Sequence, residues 1–238
     1  MTVMIKVDID AVLKRAASLE IRRIQFETVR QMVPSSCMPL SDFQAIASDA
    51  ENDHISIRQI LGAFTQMALP ERYLEIGVRR GHSLCMVAKC SRIPMAIYGF
   101  DLWVQDYAGE ENPGPDLVRS EVEKFGFSGR LELISGDSRH TIPRFLEQHP
   151  SFFYLDMVFV DGDHSAEGAR IDLENIIDHV APGGILVFDD ICHPEHLYLQ
   201  DVWNEVMANR NDFSVRSTLR YEYGWAVAQK KQSDAPSH

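Results

Sequence analysis

A chain of 238 residues, 45% of them hydrophobic, is long enough for one sizeable α/β domain with a buried core and too short for two side by side. Its formal net charge of -12 offers no diffuse basic surface to release counterions from a polynucleotide, which argues against nucleic acid as a partner. No apolar run approaches the roughly 20 residues needed to cross a bilayer, and Met1 to Lys14 lacks the basic start and apolar centre of a signal peptide. The expectation is a cytoplasmic protein with no membrane contact.

From Ile9 to Pro70 apolar residues recur at helical spacing, as in Leu13, Ala17, Ile24 and Val29 and again in Ile57, Ile60, Leu61 and Phe64. This predicts a helical lead-in, interrupted near Pro34 to Pro39, and residues 1–70 are read as an N-terminal helical cap. Periodicity alone does not choose between a cover for a site and the interface of a homo-oligomer.

After Pro70 short apolar runs alternate with helical stretches: Tyr73 to Ile76, Ala96 to Phe100, Leu131 to Ile134, Met157 to Val160 and Ile185 to Phe188. Strands alternating with helices predict an α/β, doubly wound, mostly parallel sheet with helices on both faces. Phe213 to Leu219 and Trp225 to Ala228 are joined by too short a link for a crossover helix, so a terminal antiparallel pair completes seven strands over residues 71–230. Residues 231–238 are polar and predict a flexible tail. Cys37, Cys85, Cys90 and Cys192 form no paired framework and read as core thiols rather than disulfides.

The first strand runs through Glu75 into Gly77-Val78-Arg79-Arg80-Gly81-His82-Ser83 and then a helix, the turn where an open α/β sheet holds a nucleotide-like ligand. The glycines are spaced Gly-x-x-x-Gly rather than Gly-x-Gly-x-x-Gly, which counts against a dinucleotide-dependent oxidoreductase. Glu75 suits a ligand with a cationic amino group better than a pyrophosphate. The second strand ends in Asp101, placed to accept from both hydroxyls of a ribose, and the third in Gly136-Asp137-Ser138, where Asp137 suits an adenine amino group. The same residues also fit a plainer role, with Gly77 and Gly81 in a tight turn and Asp101 and Asp137 capping helices.

Glu75-x-Gly77-x3-Gly81-x-Ser83 together with Asp101, Gly136-Asp137 and Pro182-Gly183-Gly184 before a strand resembles the class I methyltransferases that use S-adenosylmethionine (SAM). The resemblance spans about Arg72 to Lys230 and implies a Rossmann-like sheet. It implies that Glu75, Gly77 and Gly81 surround the methionine part of SAM, that Asp101 holds the ribose and that Asp137 faces the adenine. Leu102, just past Asp101, is a further candidate for the adenine face.

The fourth strand ends in Asp161-Gly162-Asp163-His164 and the fifth in Asp189-Asp190. Neighbouring parallel strands lie about 4.8 Å apart, so Asp161, Asp189 and Asp190 could reach one cation, and carboxylates this close need a countercharge. An all-oxygen set favours Mg²⁺ or another hard divalent ion. Against this, consecutive Asp189 and Asp190 on a straight strand would point to opposite faces, Asp163 and Asp190 could be helix caps, and Asp161 could bind the SAM amino group. The spelling resembles the metal-dependent O-methyltransferases that tailor macrolide and aminocoumarin sugars, which implies Asp161, Asp189 and Asp190 as ligands and Asp163 as general base. His164 departs from that pattern and resembles the cephalosporin hydroxylase-like branch, which makes His164 a second candidate base.

Cys192-His193-Pro194-Glu195-His196 matches no known zinc spacing and reads as a loop at the substrate mouth. Arg79 and Arg80 read as solvated, and Gln105 to Pro115 as a long connection contributing to a lid. The expected activity is SAM-dependent O-methylation of a small hydroxylated molecule, a sugar or natural-product intermediate. Its rivals are a metal-independent methyltransferase and a SAM-binding module without turnover.

Overall fold

The protein is described here by a computed structural model covering residues 4–32, 40–49, 53–105, 112, 114–150, 153–220 and 223–232. Cys37, the break expected near Pro34 to Pro39, most of the expected lid and the tail beyond Gln232 lie outside the described residues.

The strands are β1 (Arg72–Ile76), β2 (Ala96–Asp101), β3 (Arg130–Ser135), β4 (Leu155–Val160), β5 (Val180–Asp189), β6 (Phe213–Thr218) and β7 (Trp225–Lys230). They form one sheet in the order β3-β2-β1-β4-β5-β7-β6. β1 to β5 are mutually parallel, and β7 runs antiparallel to both β5 and β6, as the short link between the last two apolar runs requires. Every residue of central β4 is buried, whereas the edge strand β6 exposes its middle. A strand covered on both faces can be a continuous apolar run, and Leu-Asp-Met-Val-Phe-Val nearly is.

The helices are α1 (Ile9–Ala16), α2 (Leu19–Gln31), α3 (Leu40–Ser48), α4 (Ile57–Ala68), α5 (His82–Cys90), α6 (Gly114–Glu123), α7 (Ser138–Glu147), α8 (Ala166–Ile176) and α9 (Tyr198–Met207). Their apolar faces fill a layer on each side of the sheet. One layer joins Val12, Ile21, Leu61 and Phe64 of the lead-in to Tyr73, Met157, Val187 and Trp225 of the strands. The other packs Phe145, Leu173 and Trp203 on Leu74, Val158 and Phe188. Cys85 and Cys90 are free, buried thiols of α5. The lead-in is thus continuous with the core of the sheet.

α4 decides how that lead-in meets the sheet edge. Ser56 caps it through the Gln59 amide while the Gln59 side chain accepts from the Ser56 amide, a reciprocal capping box. The cap fixes the helix start so that Ile57 and Arg58 reach the carboxyl ends of the strands. No helix among the described residues is long and apolar enough to cross a membrane.

Candidate active site

The order β2-β1-β4-β5 places the chain reversal between β1 and β4, the position where an open α/β sheet leaves a crevice at its carboxyl edge. Ile76 pairs with Val160, and Val160 with Phe188, so Gly77, Asp161 and Asp189 emerge side by side. The crevice is lined from β1 and its loop by Gly77, Val78 and Ser83, from β4 and β5 by Asp161 and Asp189, and from α4 by Ile57 and Arg58. Arg79 and Arg80, expected to be solvated, are half-buried in its wall. The contribution of α4 escaped the sequence reading, because helical periodicity reports only the face turned to the core.

Gly77 is required by the backbone. Its φ is 89°, and a Cβ there would lie 1.8 Å from the Asp161 carbonyl oxygen. The close approach that excludes a side chain is therefore to β4 itself. Asp101 fixes the rest of the loop: Oδ2 accepts from the Arg79 amide at 2.7 Å and Oδ1 from the Trp103 amide at 2.5 Å, and both donors sit at positive φ. Asp101 is thus no helix cap, and each of its oxygens keeps a second lone pair for a ligand hydroxyl.

Glu75 is fully buried. Tyr73 Oη donates to its Oε2 at 2.6 Å, and the Ser83 hydroxyl donates to Oε1. Burial pushes the Glu75 carboxyl up to about 8, against the pull of both hydroxyl donors. Ser83, not Glu75, faces the crevice. Tyr73 and Glu75 share one strand face at spacing two, a signal present in the sequence.

Asp137 caps α7, accepting from the Arg139 amide at 3.0 Å and pairing with the Arg139 guanidinium at 2.6 Å, which holds its carboxyl below the usual range. The helix-cap alternative therefore describes Asp137. Gly136, at φ 132°, ties this turn to β2 by donating to the Asp101 carbonyl at 3.0 Å. Ser138 opens α7 and lies beside the buried Asp172, whose carboxyl burial raises to about 6. Leu102, just past Asp101, stands 60% exposed.

Past β4 and β5, Asp161, His164 and Asp190 bring one ligand atom each within 4.8 Å of the others. His164 Nε2 is 3.3 Å from Asp161 Oδ1 and 3.8 Å from Asp190 Oδ2. The bond to Asp161 raises the imidazole pKa, with Asp190 and Asp163 adding to it against partial burial. Asp190 follows the end of β5 at φ 58°, so the strand does not continue straight there, and its carboxylate reaches the His164 ring. Asp189 lies in the crevice and its Oδ1 accepts from the Asp190 amide at 2.7 Å. Asp161 thus stands beside Asp189 in the crevice and beside His164 and Asp190 past it.

Asp163 points elsewhere. Its Oδ1 accepts from the Ser165 amide at 2.8 Å, and its other oxygen lies 2.1 Å from where a Cβ on Gly168 would be. Ser165 is the cap of α8, and Asp163 buttresses the turn before it. Two carboxylates and an imidazole this close fit a divalent cation, and equally fit a protonated His164 as the countercharge.

A doubly wound sheet with its loop and crevice at the reversal point defines a class I methyltransferase fold. Residues 74–191 match the family model described as a methyltransferase domain. Three solved structures share the fold. The O-methyltransferase of Bacillus cereus, solved with S-adenosylhomocysteine (SAH), superposes with a TM-score of 0.60 at 17% identity, covering 90% of this chain and 100% of that one. TomG of Streptomyces achromogenes, an O-methyltransferase involved in tomaymycin synthesis and solved with SAM, gives 0.59 at 19% identity over 95% of this chain and 92% of its own. The SAH-bound methyltransferase PaMTH1 of Podospora anserina gives 0.56 at 17%, covering 90% and 88%.

Proposed function

We propose that the protein methylates an oxygen of a small hydroxylated molecule, a sugar or natural-product intermediate, with SAM lying in the crevice between β1 and β4. The observation that carries this reading is the convergence of Asp161, His164 and Asp190 beside that crevice, which Asp161 also lines. When bound, SAM supplies a sulfonium methyl for in-line displacement by the acceptor oxygen.

The Ser83 hydroxyl and the loop amides after Gly77 meet the methionine end, Glu75 holds Ser83 in place, and Asp101 accepts from the ribose. Asp161, common to the crevice and the acidic centre, lies between the two reactants. His164 takes the acceptor's proton, and the neighbouring carboxylates stabilise the imidazolium that results. Asp163, committed to the turn before α8, positions His164.

The Asp161 and Asp190 carboxylates would also hold a hard divalent cation such as Mg²⁺ through oxygen, with Asp189 close by and His164 left as the base, and the ion would neutralise the carboxylates and make the acceptor hydroxyl more acidic. The family resemblance of the Asp-Gly-Asp and Asp-Asp spellings supports the metal, and TomG's part in tomaymycin synthesis supports a natural-product acceptor. Turnover assayed on a panel of hydroxylated acceptors with labelled SAM, with and without chelator, tests both. Transfer to oxygen that stops in chelator and returns with Mg²⁺ is expected; transfer unaffected by chelator leaves His164 alone as the base.

A further inference from the structure

The loop between β5 and α9 carries a second group of metal-type ligands. His193, Glu195 and His196 each bring one donor atom within 4.8 Å of the other two. Their spacing fits no zinc motif, yet a turn gathers them: the His196 amide donates to the His193 carbonyl at 2.9 Å, and the His193 amide to the Asp190 carbonyl at 3.1 Å. The two imidazoles stack with centroids 4.8 Å apart.

The hydrogen bonds prepare His196 in particular. Tyr198 donates its hydroxyl proton to the His164 carbonyl at 2.8 Å, so toward His196 Nδ1, 3.1 Å away, the same oxygen acts as acceptor. Nδ1 then carries the ring proton and Nε2 keeps its lone pair, the outer-shell arrangement that orients a metal-binding histidine. His193 Nδ1 accepts a long 3.2 Å bond from the Glu195 amide. Whichever of its ring nitrogens meets an ion, that contact is given up.

We propose that His193, Glu195 and His196 form a second cation site, separate from the Asp161 centre and selective for a borderline ion such as Zn²⁺. Two imidazole nitrogens and one carboxylate suit zinc, whereas Mg²⁺ prefers oxygen throughout. Donors around tetrahedral zinc stand roughly 3.3 Å apart. Rotation of the exposed Glu195 side chain and small ring movements close the triad to that spacing. A cation here would pin the loop that faces the active site, because His196 lies 5.2 Å from the His164 ring, centroid to centroid, and His193 packs edge-on against Tyr223 at 4.2 Å.

The test uses tag-free full-length protein, Co²⁺ absorption titration and Zn²⁺ calorimetry in excess Mg²⁺. The expected result is a binding event lost in His193→Ala and in His196→Ala and retained in Asp190→Asn, with SAH affinity within about twofold of the starting protein in the two histidine variants. The proposal is overturned if no event depends on His193 and His196, or if every event disappears with Asp190→Asn. SAH binding and chelator-sensitive turnover are read separately, so failure of this site leaves the proposed transferase activity to its own test.

Discussion

The two sides of the crevice solve the problem of a buried carboxylate in opposite ways. On the β1 side Glu75 is sealed, with both oxygens satisfied by Tyr73 and Ser83 and its proton retained to about pH 8. On the β4–β5 side Asp161 and Asp190 are partly exposed and face each other across one imidazole. The first arrangement is closed by two hydroxyl donors; the second is bridged by an imidazole whose pKa the Asp161 bond raises. Under the proposed function the first side is the cofactor floor and the second is the centre that takes the acceptor's proton.

The largest effect is expected at that centre. His164→Gln should lower kcat by about 10²- to 10⁴-fold with SAH affinity nearly unchanged by calorimetry. Equal losses of turnover and SAH affinity would place His164 on the cofactor side. Gly77→Ala attacks the opposite wall, where a methyl group has no room against the Asp161 carbonyl and the φ is unfavourable. It should cost about 3 kcal/mol or more in chemical denaturation, or prevent folding; a loss under about 1 kcal/mol would mean that the β1–β4 contact is soft.

Glu75 gives a pH signature. Its folded-state pKa is raised, so its contribution to stability is complete below the unfolded value of 4.5 and is lost as pH rises through about 8. Between pH 6 and 8 the native protein should lose roughly 2 kcal/mol relative to Glu75→Gln. Parallel stability curves for the two proteins would show that Glu75 is ionised when folded. Asp163→Asn should be mildest, changing kcat by less than about tenfold, since an amide oxygen can still accept from the Ser165 amide. A loss as large as that of His164→Gln would restore Asp163 as the base.

What could be read from the sequence was what local pattern determines. Short apolar runs alternating with helical stretches gave the strands, the missing crossover gave the antiparallel pair, and Glu75, Gly77 and Asp101 lay at strand ends where the edge of a parallel sheet had to bring them together. What escaped depends on single backbone angles and on absent side chains. Asp190 enters the centre through a left-handed turn that no spacing rule supplies, and Asp163 leaves it because Gly168 has room for a carboxylate. Arg58 reaches the crevice because of where a capping box starts α4, and the His193-to-His196 turn gathers ligands that spacing alone dispersed.

The most direct measurement is calorimetric titration of SAH into the native protein, Ser83→Ala and His164→Gln. The expected result is one site per chain, weakened about tenfold by Ser83→Ala and unchanged by His164→Gln. Absence of SAH binding to the native protein would contradict the assignment of the crevice to SAM.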